Sequence, residues 1–329
     1  MVIDTHIHII VPEITLEAAP SETWRPSVTW ESGEQVVINR GRKMGSVLRP
    51  YSDIEKILAE QEKAGVDYIL LSPWSALFKY DFEPDEGLRI SRIQNESLAR
   101  MAQKYPDRIS AIGTVPLQDV QLAIRELKSM MQEPGLCGVE IAASVRDVFV
   151  GDDRFRPFWA AVEETGALVF IHPTSHGLGI SGLGDYYMWN SVGNPMETAV
   201  VAAQLVMAGI MEEHPNLKVI LAHGGGAILS LRGRLSHAHS FQPLARKRLN
   251  ESPIESLKRF YYDTVVHDAV LLQQLIDFVG EDHVVVGSDY PFDMGYMKPA
   301  ELVQSLDLSA ESEAKILKGN AARLIGMEP

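Results

Sequence analysis

The most constraining feature of the sequence is a regular alternation of short apolar runs with longer segments of helical periodicity. Eight runs rich in β-branched and other apolar residues alternate with eight segments whose apolar residues recur at helical spacing. The strand-like runs are residues 2–8, 66–72, 109–115, 136–141, 167–172, 218–223, 260–265 and 284–288. The helical segments are residues 53–64, 90–105, 119–133, 154–165, 195–213, 227–237, 269–279 and 311–317. This count predicts an α/β fold of the (β/α)₈ TIM-barrel type, with a doubly wound open sheet as the alternative.

One segment interrupts the alternation. About 40 residues rich in Pro, Trp, Gly and Arg separate the first strand from the first long helix. Residues 28–30, 35–39 and 46–49 could form short strands, which predicts a small β insertion at residues 12–48 rather than a disordered loop. The rest of the chain reads as one barrel domain over residues 1–329, since such barrels often reach this length as a single unit.

Composition narrows the function classes. The 30 basic and 44 acidic residues give a net charge of −14, which argues against binding to nucleic acid or to an anionic membrane. The single cysteine can form neither an internal disulfide nor a thiolate zinc site, and it is typical of a reducing cytoplasm. Neither a secretory signal nor an apolar run of membrane-spanning length is evident. Any metal would therefore be held by histidine and carboxylate.

Candidate ligands stand at the ends of the predicted strands. His6 and His8 are two residues apart at the end of the first strand, so both side chains point to the same side. His172 ends the fifth strand, His223 the sixth, and Asp289 follows the eighth. A lone histidine is more often a structural residue, but barrel active sites gather the carboxyl ends of all strands at one rim. The pattern predicts a metal site, and nitrogen and oxygen ligands suit zinc or manganese.

Several short motifs carry a family resemblance that spans nearly the whole chain. They are Asp-Thr-His-Ile-His at residues 4–8, Arg49-Pro50, Val-Pro-Leu-Gln-Asp at 115–119, His172-Pro173, Pro-Met-Glu-Thr at 195–198, His-Gly-Gly-Gly at 223–226, Gly233-Arg234, Gly-Ser-Asp-Tyr-Pro-Phe at 287–292 and Gly-Asn-Ala at 319–321. Together they resemble the amidohydrolase superfamily, specifically its decarboxylase branch, typified by aminocarboxymuconate-semialdehyde decarboxylase.

The resemblance implies roles for the strand-end residues. His6, His8, His172 and Asp289 would bind one divalent ion, most simply zinc with manganese as the second choice. His223 and Asp289 would handle protons. Glu140 on the fourth strand could bridge a second ion, although a core role is favoured. Asp263 on the seventh strand could orient a histidine or make an ordinary structural hydrogen bond.

The resemblance also implies how a substrate carboxylate is held. Arg49 and Arg234 match two family arginines, and a planar guanidinium donates two parallel hydrogen bonds to a carboxylate. The second of these reaches in from the neighbouring subunit in the resembling enzyme, which would make this protein a homodimer or a higher homo-oligomer. A surface salt bridge is the alternative for Arg234.

Other candidate pocket residues are Phe292, His176 and Tyr187. The chain departs from the family pattern around the substrate, where Thr174, Ser175 and His176 follow the His-Pro pair and His267 follows the seventh strand. These departures leave the identity of the substrate open.

These observations favour a metal-dependent, non-oxidative decarboxylase of a small unsaturated or aromatic carboxylic acid. A metal-dependent hydrolase or hydratase acting on a lactone, an amide or a C=C bond is the alternative on the same scaffold. Residues 177–182 match G-x-G-x-x-G, so a dinucleotide-binding oxidoreductase is a remote third possibility. That fingerprint needs a tight strand-to-helix turn, and four residues separate it from the strand here, which favours a mobile active-site loop.

Overall fold

Eight parallel strands form the centre of the molecule in a computed structural model that describes residues 1–15, 24–39, 41–44, 50–174 and 177–327. The strands are β1 (Ile3–Ile9), β2 (Tyr68–Pro73), β3 (Ile109–Gly113), β4 (Leu136–Ala142), β5 (Leu168–His172), β6 (Lys218–Leu221), β7 (Tyr261–Asp263) and β8 (Val284–Val285). They are hydrogen-bonded in this order, and each neighbouring pair is parallel.

The two ends of the sheet meet. The Thr5 amide donates to the Val286 carbonyl at 2.8 Å, and the His8 amide donates to the Tyr290 carbonyl at 2.9 Å. These bonds join the segment that follows β8 to β1 and close the sheet. The predicted (β/α)₈ barrel is confirmed, because an open doubly wound sheet would leave both outer strands without a partner.

Helices surround the barrel. They are Pro12–Thr15, Ile54–Lys63, Pro84–Lys104, Val120–Met130, Arg156–Thr165, Asn194–Met207, Ile210–Glu213, Ile228–Phe241, Pro253–Leu257, Ala269–Val279, Pro299–Gln304, Ala310–Ala314 and Asn320–Ile325. Two predicted starts are accurate because Asp53 and Asp119 cap their helices, each accepting a hydrogen bond from the amide three residues on. Among these helices, none combines the length and the apolar character that crossing a membrane requires.

Three helical predictions were wrong in extent. The segment predicted at residues 195–213 is two helices, because Gly209 adopts a left-handed conformation with φ +73° and breaks the helix. Pro84–Lys104 begins six residues before the predicted start, at a proline in the first turn, where a missing amide hydrogen costs nothing. The segment predicted at residues 311–317 passes through a wide π turn, Lys315–Gly319, into Asn320–Ile325.

The insertion after β1 contains an antiparallel three-stranded sheet. Its strands are Ser27–Glu31, Glu34–Asn39 and Arg42–Lys43. The first two match the predicted strands at 28–30 and 35–39. The third was not predicted, and the predicted strand at 46–49 lies outside the described residues. The division of the chain at residues 12–48 stays a prediction.

Apolar side chains fill the barrel interior below the rim. Ile3, Leu70, Ile112, Leu168 and Phe170 are buried together in one interior cluster. The ring of Phe170 lies 4.8 Å from the ring of His6, centroid to centroid. This apolar layer packs directly beneath the polar groups of the rim.

The contact between β4 and β5 yields a prediction about stability. Gly138 is paired with Leu168, and a Cβ at position 138 would overlap the Leu168 carbonyl. Gly138→Ala is expected to lower the free energy of unfolding by about 3 kcal/mol, the upper end of the usual cost of overpacking. Denaturant melts check this, with Gly233→Ala as the matched control. A Cβ there meets no atom within 4 Å, so helix propensity should leave stability unchanged or slightly higher. Equal stabilities of the two variants would contradict the packing argument.

Candidate active site

Two buried imidazoles from β1 stand side by side at the rim. Because alternate residues of a strand face the same side, His6 and His8 both point into the barrel mouth, with their Nε2 atoms 3.1 Å apart. His6 Nδ1 lies 2.7 Å from Asp263 Oδ2. His8 Nδ1 lies 3.2 Å from Ser72 Oγ and 3.3 Å from the Pro73 carbonyl. These contacts leave both Nε2 atoms directed at the same space.

Three further groups enter the same space from other strands. His172 Nδ1 is 2.8 Å from the Pro173 carbonyl, which directs its buried Nε2 toward the cluster. Asp289 Oδ1 lies 3.3 Å from His6 Nε2 and 3.5 Å from His8 Nε2. Asp289 Oδ2 lies 3.5 Å from His223 Nε2. One ligand atom each from His6, His172, His223 and Asp289 fall within 4.8 Å of one another.

This donor set fits a divalent ion. His172 Nε2 is inaccessible to solvent and has no hydrogen-bond partner within the described residues, and Asp289 Oδ1 is equally inaccessible, with imidazole nitrogens at 3.3 and 3.5 Å. Buried polar atoms are ordinarily satisfied, so a shared partner that accepts lone pairs from nitrogen and oxygen accounts for them. The cluster contains no sulfur, and its imidazole and carboxylate donors are of the kind that zinc and manganese accept.

The charges of the cluster shift the ionisation of its members. Burial disfavours the charged imidazole of His6, but the carboxylates of Asp289 and Asp263 outweigh burial and raise its pKa to about 10. Burial likewise opposes the charge on His8, whereas Glu140 and Asp289 raise its pKa to about 9. Burial and the neighbouring imidazoles hold the pKa of His172 well below its usual value. Without an ion, therefore, the pair on β1 retains protons at neutral pH.

Metal uptake should therefore release protons. The pKa values of His6 and His8 are both raised above 7, but their Nε2 atoms are only 3.1 Å apart, so the two atoms cannot both carry a proton. At least one proton should therefore leave the pair for each ion bound. Affinity for Mn²⁺ should consequently rise with pH toward 9, since protons compete less for the same atoms. Calorimetric titration in buffers of different ionisation enthalpy measures the proton count. Proton-neutral binding at pH 7 would contradict this assignment.

Buried carboxylates support the imidazoles from below. Asp263 accepts hydrogen bonds from the amides of His223 at 3.0 Å, Gly224 at 2.8 Å and Val265 at 3.1 Å, besides its contact with His6. The two roles considered for Asp263 thus coexist. Glu140 Oε2 lies 3.6 Å from His8 Nδ1, on the side of that ring away from Asp289. Among the described residues, the four-residue cluster includes neither Glu140 nor His8, the predicted ligand that Glu140 contacts.

A pocket of about 190 Å³ opens beside the cluster. His223 and Asp289 line it, together with residues from the loops after β5, β7 and β8. A cavity of this size suits a single-ring molecule better than a dinucleotide. Phe292 is close by, with its ring 5.7 Å from that of His8.

The structure places the remaining predicted site residues apart from this pocket or does not describe them. Tyr187 donates a hydrogen bond to Asp293 Oδ1 at 2.9 Å and packs against Trp189. Arg234 is exposed on Ile228–Phe241, and within the described part of this chain it forms no ion pair. Arg49 and His176 lie outside the described residues.

The glycine-rich segment does not form a dinucleotide-binding turn. Gly177–Gly179 and Ser181–Leu183 are single 3₁₀ turns, and Leu178 has a left-handed φ of +58°. A phosphate site of the fingerprint type needs these glycines between a strand and the amino end of a long helix. That geometry is not formed here.

Sequence reasoning missed most residues of the pocket wall, among them a buried asparagine. Asn194 begins Asn194–Met207 directly after a wide π turn, Trp189–Gly193, and it lines the pocket beside Asp289. An asparagine before a helical run normally indicates a cap. The signal that could have revealed it is the extra residue of the π turn, because such turns concentrate at functional sites.

A closed barrel that gathers imidazoles and an aspartate at the carboxyl ends of its strands defines the class of this protein: a barrel enzyme with a polar active site at one rim. The chain belongs to the amidohydrolase family, whose model matches residues 3–327. The predicted family membership is confirmed.

Similar proteins include named decarboxylases. The chain is 31% identical over 274 residues to 2-amino-3-carboxymuconate-6-semialdehyde decarboxylase of Dictyostelium discoideum, covering 83% of this chain and 76% of that protein. The crystal structure of 5-carboxyvanillate decarboxylase from Sphingomonas paucimobilis is similar with a TM-score of 0.83 and 25% identity, covering 99% of each chain. The 5-carboxyvanillate decarboxylase of Novosphingobium aromaticivorans, crystallised with manganese, has a TM-score of 0.81 and 22% identity, with 99% of this chain and 96% of that chain covered.

Proposed function

We propose that the protein is a metal-dependent, non-oxidative decarboxylase of a small unsaturated or aromatic carboxylic acid. The observation that carries the proposal is the cluster of buried His6, His172 and Asp289 with half-buried His223, beside a pocket of about 190 Å³. The decarboxylase names of the relatives support the reaction class.

His6, His8, His172 and Asp289 are the proposed metal ligands. Zinc or manganese fits the donor set, and the manganese in the Novosphingobium relative favours a test of both. When bound, the ion would supply positive charge that stabilises the negative charge developing on the substrate. Asp263 keeps His6 in one orientation by accepting from its Nδ1–H, so Nε2 stays available as a ligand atom.

His223 and Asp289 are the proposed proton-handling pair. Decarboxylation replaces the bond to the carboxylate with a bond to hydrogen: R–CO₂⁻ and H⁺ become R–H and CO₂. The proton must be delivered to the carbon as the electrons of the broken bond remain on it. His223 Nε2 and Asp289 Oδ2 are 3.5 Å apart and both residues line the pocket, so a proton held between them can be presented there.

Substrate contacts follow from the pocket and from the family arginines. Phe292 offers an aromatic face beside His8, and Arg49, His176 and Tyr187 are proposed to line the outer part of the site. Arg234 is proposed to bind carboxylate in the site of a second copy, because it is exposed and unpaired within the described part of its own chain. This assignment requires a homodimer or a higher homo-oligomer. The cytoplasm remains the proposed compartment.

The Arg234 assignment predicts complementation between two inactive variants. Arg234→Ala disables the site in the partner, whereas Asp289→Asn disables the site in its own chain. Mixed dimers should therefore contain one intact site, and re-associated mixtures should recover about a quarter of the wild-type activity. Steady-state assays before and after mixing measure this. No recovery, although hybrid dimers are detected by native mass spectrometry, would show that Arg234 does not act in the site of the partner.

A direct screen tests the function. Protein loaded with Zn²⁺ or Mn²⁺ is incubated with a panel of benzoic and muconic acids, and CO₂ is measured with a coupled assay. Release of CO₂ from at least one acid, abolished by a chelator and restored by metal, is the expected result. Failure to release CO₂ from any acid, or release that survives complete metal removal, would overturn the proposal.

A further inference from the structure

One wall of the pocket is not used by the proposed chemistry. It is formed by Asn190 and Ser191 of the π turn and by Asn194 and Pro195 at the start of the helix that follows. His223 and Asp289 line the same pocket. A substrate whose carboxylate meets that pair would therefore present other parts of its ring to this wall.

Asn194 is the residue of this wall whose buried side chain has an unsatisfied hydrogen-bond acceptor. Its residue is only 5% exposed, and its Oδ1 is inaccessible to solvent and has no hydrogen-bond partner within the described residues. The side chain caps no helix, because the chain enters Asn194–Met207 through the π turn with helical backbone angles already at Gly193. A buried amide oxygen without a donor is costly, so a group that donates to it would be bound selectively.

The backbone fixes Asn194 in place. The Ala227 amide donates to the Pro195 carbonyl at 3.1 Å, which ties the helix start to the turn after His223. Gly226 lies so close that a Cβ there would overlap the same carbonyl. The Thr198 hydroxyl donates to the Asn194 carbonyl at 3.2 Å. These contacts hold the backbone that carries the Asn194 side chain in place beside the pocket.

The facing wall is mostly apolar. Val265, Val266, Leu271 and Met294 line it, and they suit the faces of a ring. His267 is exposed at the mouth, where water can satisfy its nitrogens. Of the other polar residues in the pocket wall, Ser191 is exposed and donates to the Tyr187 carbonyl, and Asn190 is half-buried. Asn194 is the buried one, with an unpartnered side-chain oxygen.

We infer that Asn194 is a specificity residue that accepts a hydrogen bond from a hydroxyl or amino substituent on the acid substrate. The inference rests on the proposed function, because it places the substrate carboxylate at His223 and Asp289. A site built around a buried polar group rejects an analogue that lacks the matching substituent, since the group is then left unpaired. A methyl group in place of the hydroxyl is such an analogue, of nearly the same size.

Binding of matched benzoates to the Mn²⁺-loaded protein tests the inference. The probes are the three hydroxybenzoates and the three methylbenzoates, paired by ring position, with Kd measured by calorimetry. At one ring position or more, the hydroxyl compound should bind about 10-fold to 100-fold more tightly than its methyl partner. The absence of any such preference, or no measurable binding of any probe, would overturn the inference.

A substitution assigns the preference to Asn194. Asn194→Leu keeps the size of the side chain and removes its hydrogen bonds, so the hydroxyl preference should fall to about 1 or reverse. Asn216→Leu makes the same change on an exposed surface and should leave the preference intact. A preference that persists in folded Asn194→Leu would overturn the inference. If that variant does not fold, Asn194→Ala takes its place and the same comparison applies.

The two proposals fail separately. Hydroxyl preference in binding, with no CO₂ released from any acid, would overturn the decarboxylase and retain the role of Asn194. Release of CO₂ without a hydroxyl preference would retain the decarboxylase and overturn the role of Asn194.

Discussion

Asp289→Asn is expected to lower the rate of CO₂ release by at least about 1000-fold while the fold stays intact. One carboxylate faces both His6 and His8 at 3.3 and 3.5 Å and also faces His223 at 3.5 Å, so the change removes a ligand charge and a proton-carrying group together. Loss of acid–base catalysis alone typically costs about 10²–10⁴-fold. Asp289 has φ +57°, a conformation that asparagine also tolerates, so the backbone should not change.

Steady-state kinetics and metal analysis check this expectation. The rate is measured with the best substrate of the screen, and bound metal is measured by elemental analysis of the same sample. Asp277→Asn is the matched control, because its carboxylate is exposed on Ala269–Val279, away from the rim. Activity of Asp289→Asn within about tenfold of wild type would show that this carboxylate neither holds the ion nor handles the proton.

Asp263→Asn should weaken both metal binding and stability. The Asp263 carboxylate accepts from four donors, namely His6 Nδ1 and the amides of His223, Gly224 and Val265. An asparagine side chain has an NH₂ group in place of one of the two acceptor oxygens. At least one of these contacts would then bring two hydrogen-bond donors together. Metal affinity should fall about 10-fold to 100-fold, as for other partners of metal-binding histidines. The free energy of unfolding should fall by about 3 kcal/mol.

Asp4→Asn provides the comparison for that effect. Asp4 is equally buried, and it accepts from the amides of His6 and Ser288, both at 3.0 Å, without touching an imidazole. Asp4→Asn should lower the free energy of unfolding. Its loss of metal affinity should be at least about tenfold smaller than the loss caused by Asp263→Asn. Metal titrations and thermal melts of both variants distinguish the roles. Equal losses of affinity would mean that Asp263 acts only through the backbone.

The barrel and the centre of the candidate site could both be predicted from the sequence, and for the same reason. Each strand of a parallel barrel is buried on both faces, so it appears as a short continuous apolar run, and its carboxyl end marks the rim. His6, His8, His172 and Asp289 stand at such ends, and their convergence follows from the topology. Strand positions were accurate to a few residues because turn and cap residues such as Asp53 and Asp119 bound the helices.

What the sequence did not reveal depends on geometry that no local pattern encodes. Whether a glycine ends a helix depends on its backbone angles, and Gly209 breaks a run that is otherwise apolar throughout. Asn194 looks like a cap until the π turn before it is known. The four bonds of Asp263 join three segments far apart in the chain. The roles of Arg49, Arg234 and His176 remain predictions.

The fate of the substrate carboxyl carbon tests the central claim most directly. The best acid of the screen is labelled with ¹³C in its carboxyl group and followed by NMR with the metal-loaded protein. The account predicts one equivalent of labelled CO₂ or bicarbonate for each substrate consumed, with an unlabelled product that has lost one carbon. A product that retains the label, as hydrolysis or hydration would give, would contradict it.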